Sequence, residues 1–156
     1  MGAAPVLRRK AKPIRKVDAR LRKLAADMLE TMREAPGVGL AGPQVGVSER
    51  IIVVEYEDQQ YALVNPEIVS RSEETEVGEE GCLSLPTLYG DVERAARVRV
   101  QALDLGNKRV TIDAESWLAR IFQHEVDHLD GVLFPDRMAP DAPLRAVRNR
   151  PLDEEI

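Results

Sequence analysis

The sequence predicts an α+β fold, with antiparallel or mixed β-sheets packed around a central helix and another helix near the N-terminus. Three observations support it: an early amphipathic helical segment, β-branched and alternating runs in the middle, and a late helical segment that carries both histidines of the chain. We expect one domain over residues 1–156, a length that buries about two-thirds of the unfolded surface. From about residue 139 periodicity is lost, which predicts a loosely ordered tail.

The first helix is predicted over residues 18–34. Apolar residues recur there at helical spacing, namely Leu21, Leu24, Ala25, Met28 and Met32. Asp18 is placed to cap the first turn, and Pro36-Gly37 is placed to stop the helix. The segment therefore has one apolar face to pack against a sheet.

Four runs in the middle of the chain predict strands because they are β-branched or alternate in polarity. They are IIVVEY at 51–56, YALVNPEIV at 61–69, RVRVQALDL at 97–105 and RVTI at 109–112. A second helix is predicted to begin near Asp113 as its N-cap and to run through SWLARIFQHEVDHL. Gly131 can take the left-handed conformation that finishes a helix, so the prediction ends there.

The charge and hydropathy of the chain exclude several classes of protein. A net charge of -5 argues against a broad electrostatic grip on nucleic acid and against sequence-specific binding of it. The basic stretch from Arg8 to Lys16 is the exception, and it is interpreted as a solvated edge or, alternatively, as a ribosomal RNA contact. Since there is neither a long apolar run nor a secretory signal, we expect a cytoplasmic protein without membrane contact.

The strongest chemical motif is the pentapeptide HEVDH at 124–128, inside the second predicted helix. Residues four apart lie on one helical face, so His124 and His128 can reach one metal ion while Glu125 stands beside them. The alternative is a surface helix that carries two histidines by coincidence. Apolar neighbours on the same turns favour the metal site.

A catalytic metal site normally has three protein ligands and one open position. The single cysteine, Cys82, is the natural third candidate, because it lies in EGCLS at 80–84 between predicted strands. Considered by itself, a lone cysteine is more often a small buried hydrophobe. By this motif alone, the cysteine is either a ligand or a core residue.

A glycine-rich segment at 37–46 gives a third candidate region. Its spacing is not that of a nucleotide-binding loop, and no lysine follows. Glycines can instead bring backbone amides and one polar side chain against a substrate, and Gln44 is the one side chain here that can donate a hydrogen bond. A flexible turn between helix and strand is the alternative.

Taken together, these segments resemble the peptide deformylase family. That family carries GxGLAAxQ, EGCLS and QHExDHL segments in this order, which stand here at 37–44, 80–84 and 123–129. The likeness extends from a PVLR segment at Pro5 to about Met138. Ala41-Gly42 departs from the paired alanines of the family. Trp117 and Arg120 occupy helix positions where relatives often present aliphatic residues toward the methionine pocket.

The resemblance implies an enzyme that hydrolyses the N-formyl group from N-terminal formyl-methionine of nascent polypeptides and releases formate. It implies roles for three groups of residues. The metal ligands are Cys82, His124 and His128, the catalytic residues are Glu125, Gln44 and Leu83, and the substrate-binding residues are Val38, Gly39, Gly42 and Ile121. Glu80 and Gln123 are candidates to orient ligands. The implied partners are formyl-methionyl peptides and nascent chains, with a transient ribosome contact.

The resemblance points to Fe²⁺ as the metal, with Zn²⁺, Ni²⁺ or Co²⁺ as substitutes, whereas one thiolate and two imidazoles by themselves fit several divalent ions. Three alternatives remain. They are another zinc hydrolase with a different third ligand, a catalytically silent relative that binds formylated peptides, and a structural metal protein. The last would need a carboxylate to close the fourth position.

Overall fold

The computed structural model describes residues 5–35 and 37–146. The helices are α1 (Ala19–Glu34) and α2 (Ser116–Leu129). The strands are β1 (Gly39–Ala41), β2 (Ile51–Tyr56), β3 (Gln59–Arg71), β4 (Thr75–Cys82), β5 (Leu85–Ala95), β6 (Arg97–Leu103) and β7 (Arg109–Glu115). Pro36, and the part of the predicted tail beyond residue 146, lie outside the described residues. The predicted α+β class is confirmed.

The strands form two antiparallel sheets. Five strands pair in the order β1-β2-β3-β6-β7, and β4 and β5 form a separate hairpin. Within the five-stranded sheet β1 has only β2 as a hydrogen-bonded neighbour. One edge of β1 is therefore not paired with any other described strand.

The position of β2 between the two helices explains the apolar run from Ile51 to Val54. Ile52 and Val54 pack in the cluster that contains the apolar side chains of α2, while Ile51 and Val53 pack against α1 on the opposite face. A strand covered on both faces has no need of the polar alternation seen in half-exposed strands. The five-stranded sheet is thus the middle layer, with one helix on each face.

Helix α1 confirms the prediction made from its spacing. The Asp18 side chain accepts a hydrogen bond from the backbone N–H of Leu21 at 3.0 Å, as an N-cap residue should. Leu21, Ala25, Met28 and Met32 are all buried. The Gly37 N–H donates to the carbonyl of Met32 at 2.7 Å just past the end of the helix.

Two predictions about element boundaries were wrong. Asp113 does not cap α2, because β7 continues to Glu115 and places Asp113 opposite Arg99, with which it forms an ion pair at 2.7 Å. Cys82 does not lie between strands, because it is the last residue of β4. The β4–β5 hairpin and the short β1 were not predicted from sequence.

Helix α2 is the central element of the molecule. Every residue from Ala119 to Leu129 is buried, whereas a surface helix would expose one face. Gly131 follows with a φ of 76°, so the predicted left-handed residue beyond the helix is confirmed. The polar and charged side chains of α2 therefore need hydrogen-bond or ion-pair partners inside the protein.

The segment after Met138 runs beside β5. Backbone hydrogen bonds of 2.7 Å join Tyr89 and Arg145 in both directions, and the Arg145 guanidinium contacts Glu79 and Asp91 at 2.9 Å each.

Across the ranges 5–35 and 37–146, the helices are too short and too polar to cross a membrane.

Candidate metal centre

Cys82, His124 and His128 come together in the interior. One ligand-capable atom from each lies within 4.8 Å of those of the other two, and all three side chains are buried. Cys82 Sγ is 3.3 Å from His128 Nε2, and the two imidazole centroids are 5.0 Å apart. Among the described residues no carboxylate joins this group. The set thus offers three soft or borderline donors.

The local sequence explains how the three donors converge. The histidines are four residues apart on α2, so one helical turn separates them on the same face. Cys82 ends β4, and Leu83 and Ser84 make the two-residue connection to β5. The hairpin end thereby delivers the sulfur to the histidine face of the helix.

The donor set fits a divalent transition metal. His124 Nδ1 lies 2.9 Å from Glu80 Oε1, and a carboxylate there requires the proton on Nδ1, which leaves the lone pair on Nε2. That Nε2 atom is buried without a hydrogen-bond partner in the described structure. A buried imidazole nitrogen held in this tautomer and aimed at a cysteine sulfur is an arrangement typical of metal ligands.

Glu80 is fully buried and is held ionised by arginines. Burial alone would raise the pKa of this carboxyl, but hydrogen bonds from Arg94 and His124 and the charge of Arg94 bring the pKa well below its usual range. Arg94 binds both oxygens, at 2.8 and 2.9 Å. Glu80 thus orients His124, as the sequence suggested for this neighbour of the cysteine.

Glu125 stands beside His124 with both carboxylate oxygens buried and without hydrogen-bond partners among the described residues. Burial raises the pKa of Glu125 to about 7. An ionisable group poised near neutrality can both accept and release a proton. The Glu125 side chain has room here because Gly39 carries no Cβ.

Gln44 reaches the same place from the glycine-rich segment. Its side-chain oxygen accepts from the Ala41 N–H at 2.9 Å, and its amide nitrogen donates to Cys82 Sγ at 3.4 Å and to Ser84 Oγ at 3.1 Å. The structure therefore brings Gln44 together with the cysteine segment. Leu83, next to Cys82, is half-buried.

The four residues expected to bind substrate lie in or near β1 and α2. Val38 and Ile121 belong to the same apolar cluster beneath the sheet, with Ile121 fully buried. Gly39 is in β1. A Cβ on Gly42 would lie 2.6 Å from the Glu49 carbonyl oxygen, so this glycine allows the turn after β1 to pack closely. The missing methyl group of Gly42 is thus explained by local packing.

Gln123 and Arg120 form hydrogen bonds to strands β4 and β5 rather than to Cys82, His124 or His128. Gln123 exchanges hydrogen bonds with the N–H and carbonyl of Ala95, at 3.1 and 2.9 Å, which ties α2 to β5. Arg120 donates to Glu80, to the Val92 carbonyl and to the Glu76 carbonyl. Its head group therefore binds the hairpin.

Arg94 was missed by sequence reasoning, although a signal was present. In β5, Val92 and Arg94 are buried while Asp91 and Glu93 are exposed, so Arg94 occupies an inward position of the two-residue period. A charged residue on the inward register of a strand needs a buried partner. That requirement points to a buried carboxylate, here Glu80.

Comparisons with known proteins agree on one family. The sequence model described as polypeptide deformylase matches residues 2–143. A peptide deformylase of Symbiobacterium thermophilum is 60% identical over 137 residues, which cover 86% of this chain and 63% of that protein. The chain thus spans less than two-thirds of that relative. A peptide deformylase of Natranaerobius thermophilus is 54% identical over 134 residues, 85% of this chain and 86% of the relative.

Solved structures give the same result. The crystal structure of peptide deformylase from Thermotoga maritima has a TM-score of 0.85 and 47% identity, covering 87% of this chain and 92% of that one. A peptide deformylase from Synechococcus elongatus in complex with actinonin has a TM-score of 0.86 and 43% identity. The match covers 88% of this chain and 76% of that one. On these matches, together with its α+β fold and its buried cysteine and histidines, the chain belongs to the polypeptide deformylase family of enzymes.

Proposed function

We propose that this chain hydrolyses the N-formyl group from the N-terminal formyl-methionine of nascent polypeptides and releases formate. One observation carries the proposal: the buried Cys82, His124 and His128 group lies beside Glu125, whose oxygens lack partners in the described structure. A structural metal site would close its fourth position with another ligand. This group has no fourth protein ligand among the described residues, as a hydrolytic centre requires.

Cys82, His124 and His128 would hold the metal. When bound, a divalent metal supplies Lewis acidity toward the formyl oxygen and lowers the pKa of a water molecule. The proposed ion in the cell is Fe²⁺, with Zn²⁺, Ni²⁺ or Co²⁺ able to replace it. The mixed thiolate and imidazole set suits all of these ions.

Glu125 would act as the proton carrier of the reaction. It takes a proton from the attacking water as the new C–O bond forms at the formyl carbon. It then gives that proton to the amine nitrogen as the C–N bond breaks, so formate and a free N-terminus result. A buried carboxylate without competing hydrogen bonds suits both steps.

Gln44 and Leu83 would stabilise the oxyanion that forms on the formyl group. The Gln44 amide nitrogen already points to the cysteine segment, 3.4 Å from Cys82 Sγ. Leu83 would contribute its backbone N–H, because it directly follows the cysteine. Donors fixed before the reaction are the most effective way to stabilise such charge.

The peptide would bind in an extended conformation along the unpaired edge of β1, which supports an assignment of Gly39 to substrate binding. Gly42, directly after β1, would contribute by keeping the turn close to the strand. Val38 and Ile121 would contribute to the apolar pocket for the methionine side chain. The related peptide deformylase of Synechococcus elongatus forms a complex with actinonin. By analogy, this chain would bind formyl-methionyl peptides.

Nascent chains carry the formyl group as they leave the ribosome, so the proposed place of action is the cytoplasm, with a transient ribosome contact. The basic stretch supports such a contact. The side chains of Arg9, Lys10, Arg15 and Lys16 are all exposed. Contact through exposed cations would be sensitive to salt and indifferent to nucleotide sequence.

The test is formate release from a short formyl-methionyl peptide, with protein prepared without oxygen and loaded with Fe²⁺ or Ni²⁺. Glu125→Ala is assayed alongside, and Glu115→Ala serves as control because Glu115, the last residue of β7, is exposed. Formate from the parent and the control but not from Glu125→Ala supports the proposal. No formate from the metal-loaded parent would contradict it and favour a silent relative.

A further inference from the structure

The orientation of Glu80 is fixed through both of its oxygens. Oε1 faces His124 Nδ1 at 2.9 Å and accepts from Arg94 Nη2 at 2.8 Å. Oε2 accepts from Arg94 Nε at 2.9 Å and from Arg120 Nη1 at 2.6 Å. Two arginines, one from β5 and one from α2, therefore meet at the carboxylate that orients a metal ligand.

Arg94 cannot neutralise this region by itself. Its Nη1 atom is 2.6 Å from Asp127 Oδ2, so the one guanidinium is shared between two buried carboxylates. Arg120 supplies a second buried cation to Glu80, while Asp127 is also paired with Arg137 at 3.0 Å. Removing Arg120 would leave Glu80 with Arg94 as its one arginine partner, and that guanidinium is shared with Asp127.

Arg120 is itself held in place. Its guanidinium donates to the Val92 carbonyl at 2.8 Å and to the Glu76 carbonyl at 2.7 Å, one on each strand of the hairpin. Gly78 leaves the room that it needs, because a Cβ there would lie 3.0 Å from the central carbon of the guanidinium. The head group thus occupies one defined position between α2 and the hairpin.

We propose that Arg120 is a positioning residue of the metal centre: by holding Glu80 Oε2 it keeps Oε1 against His124 Nδ1 and so aims His124 Nε2 at the ligand group. This inference rests on the proposed metal centre of Cys82, His124 and His128. Without Arg120, Glu80 keeps only the guanidinium of Arg94, which Asp127 shares, so its carboxylate is less firmly fixed. The restraint on the tautomer and the ring orientation of His124 is then weaker.

A purely structural role would have a different signature. The hydrogen bonds from Arg120 to the hairpin would then contribute to the stability of the fold and leave the geometry of the ligands alone. The positioning role instead predicts a change in the metal itself, in its rate of loss and in its spectrum. These quantities can be measured on folded protein without any assay of activity.

The experiment uses full-length protein loaded with Co²⁺, and compares the parent with Arg120→Met, Arg120→Lys and Arg137→Met. Arg137 is the matched control, because it belongs to the same network but contacts Asp127 and not Glu80. The readouts are the rate of Co²⁺ loss to a chelator well below the unfolding temperature and the visible spectrum of the bound ion. Loss of an outer partner of a ligand costs about 10- to 100-fold in metal affinity.

We expect Arg120→Met to release Co²⁺ about 10- to 100-fold faster with an altered spectrum. Arg120→Lys, which keeps the charge, should release it at an intermediate rate, and Arg137→Met should match the parent. Parent-like release and spectrum in folded Arg120→Met would overturn the inference. If Arg120→Met does not fold, Arg120→Lys is the test. A rate of Co²⁺ loss from Arg120→Lys equal to that of the parent would then overturn the inference. A parent that binds no Co²⁺ would overturn the proposed metal centre as well, which distinguishes the two failures.

Discussion

Glu125 occupies the space that a side chain on Gly39 would need. A Cβ built on Gly39 would lie 2.6 Å from Glu125 Oε2 and 3.0 Å from its Cδ atom, far inside normal contact. Gly39 is in β1 at the sheet edge, and Glu125 is on α2 beneath it. The close approach of strand and helix therefore depends on a glycine at this position.

Gly39→Ala should displace the Glu125 carboxylate while leaving the three ligands intact. A misplacement of about 1 Å at a reacting group can cost about 100-fold in rate, so we expect a loss of that order in kcat for formate release. The metal content should stay at the parent value. Gly106→Ala is the control, because a Cβ there meets only Asp104 Oδ1 at 3.3 Å. Parent-like kcat in Gly39→Ala would show that Glu125 tolerates the shift or has no role in proton transfer.

Gln44→Leu should remove the proposed oxyanion donor without removing the metal. Loss of one such donor costs about 100- to 1000-fold in kcat, and the effect on KM should be small because the interaction strengthens in the transition state. Ser84→Ala is the matched control, since Ser84 Oγ accepts from the same amide at 3.1 Å but is not proposed to meet the substrate. A mainly raised KM in Gln44→Leu would instead assign Gln44 to ground-state binding.

Asp18→Ala should destabilise the protein and leave catalysis unchanged. The lost N-cap hydrogen bond to the Leu21 N–H costs about 1 kcal/mol in the free energy of unfolding, which urea denaturation can measure. Asp27→Ala removes an exposed carboxylate that pairs with Lys23 on the same helix, and it should cost less than about 0.5 kcal/mol. Equal effects from the two variants would mean that the cap contributes no more than a surface ion pair.

The elements predicted from sequence are those whose signal is local. Helix α1 follows from its apolar spacing and from Asp18, and β2 from a run of β-branched residues. The hairpin was missed because β4 carries glutamates and glycines, which are depleted in strands. It is held by contacts from far along the chain, above all from Arg120 on α2 to backbone carbonyls of both strands. Such long-range contacts leave no local pattern.

The candidate metal centre likewise combines residues with a local sequence signal and residues joined by long-range contacts. His124 and His128 are found by their spacing on one helix, and Cys82 by the resemblance of its segment, and the structure brings all three together. The ion pairs of Glu80 with Arg94 and Arg120 join residues 14 and 40 positions apart. Composition and periodicity cannot pair such residues. Once β5 is known to be a strand, its inward Arg94 indicates that some buried carboxylate is required.

Cys82→Ala tests whether the thiolate is the third ligand or a core residue. The side chain is 2% exposed and packs with Val92 and Phe134, so the substitution will lower stability whichever role is right. Val92→Ala is therefore the matched control, because it opens space in the same cluster without touching the ligand group. We expect Cys82→Ala alone to lose stoichiometric metal and the sulfur-to-metal band of the Co²⁺ spectrum, since two imidazoles do not complete the site. If Cys82→Ala binds one metal ion as tightly as Val92→Ala, another residue completes the site. The hydrolase with a different third ligand would then replace the centre proposed for this chain.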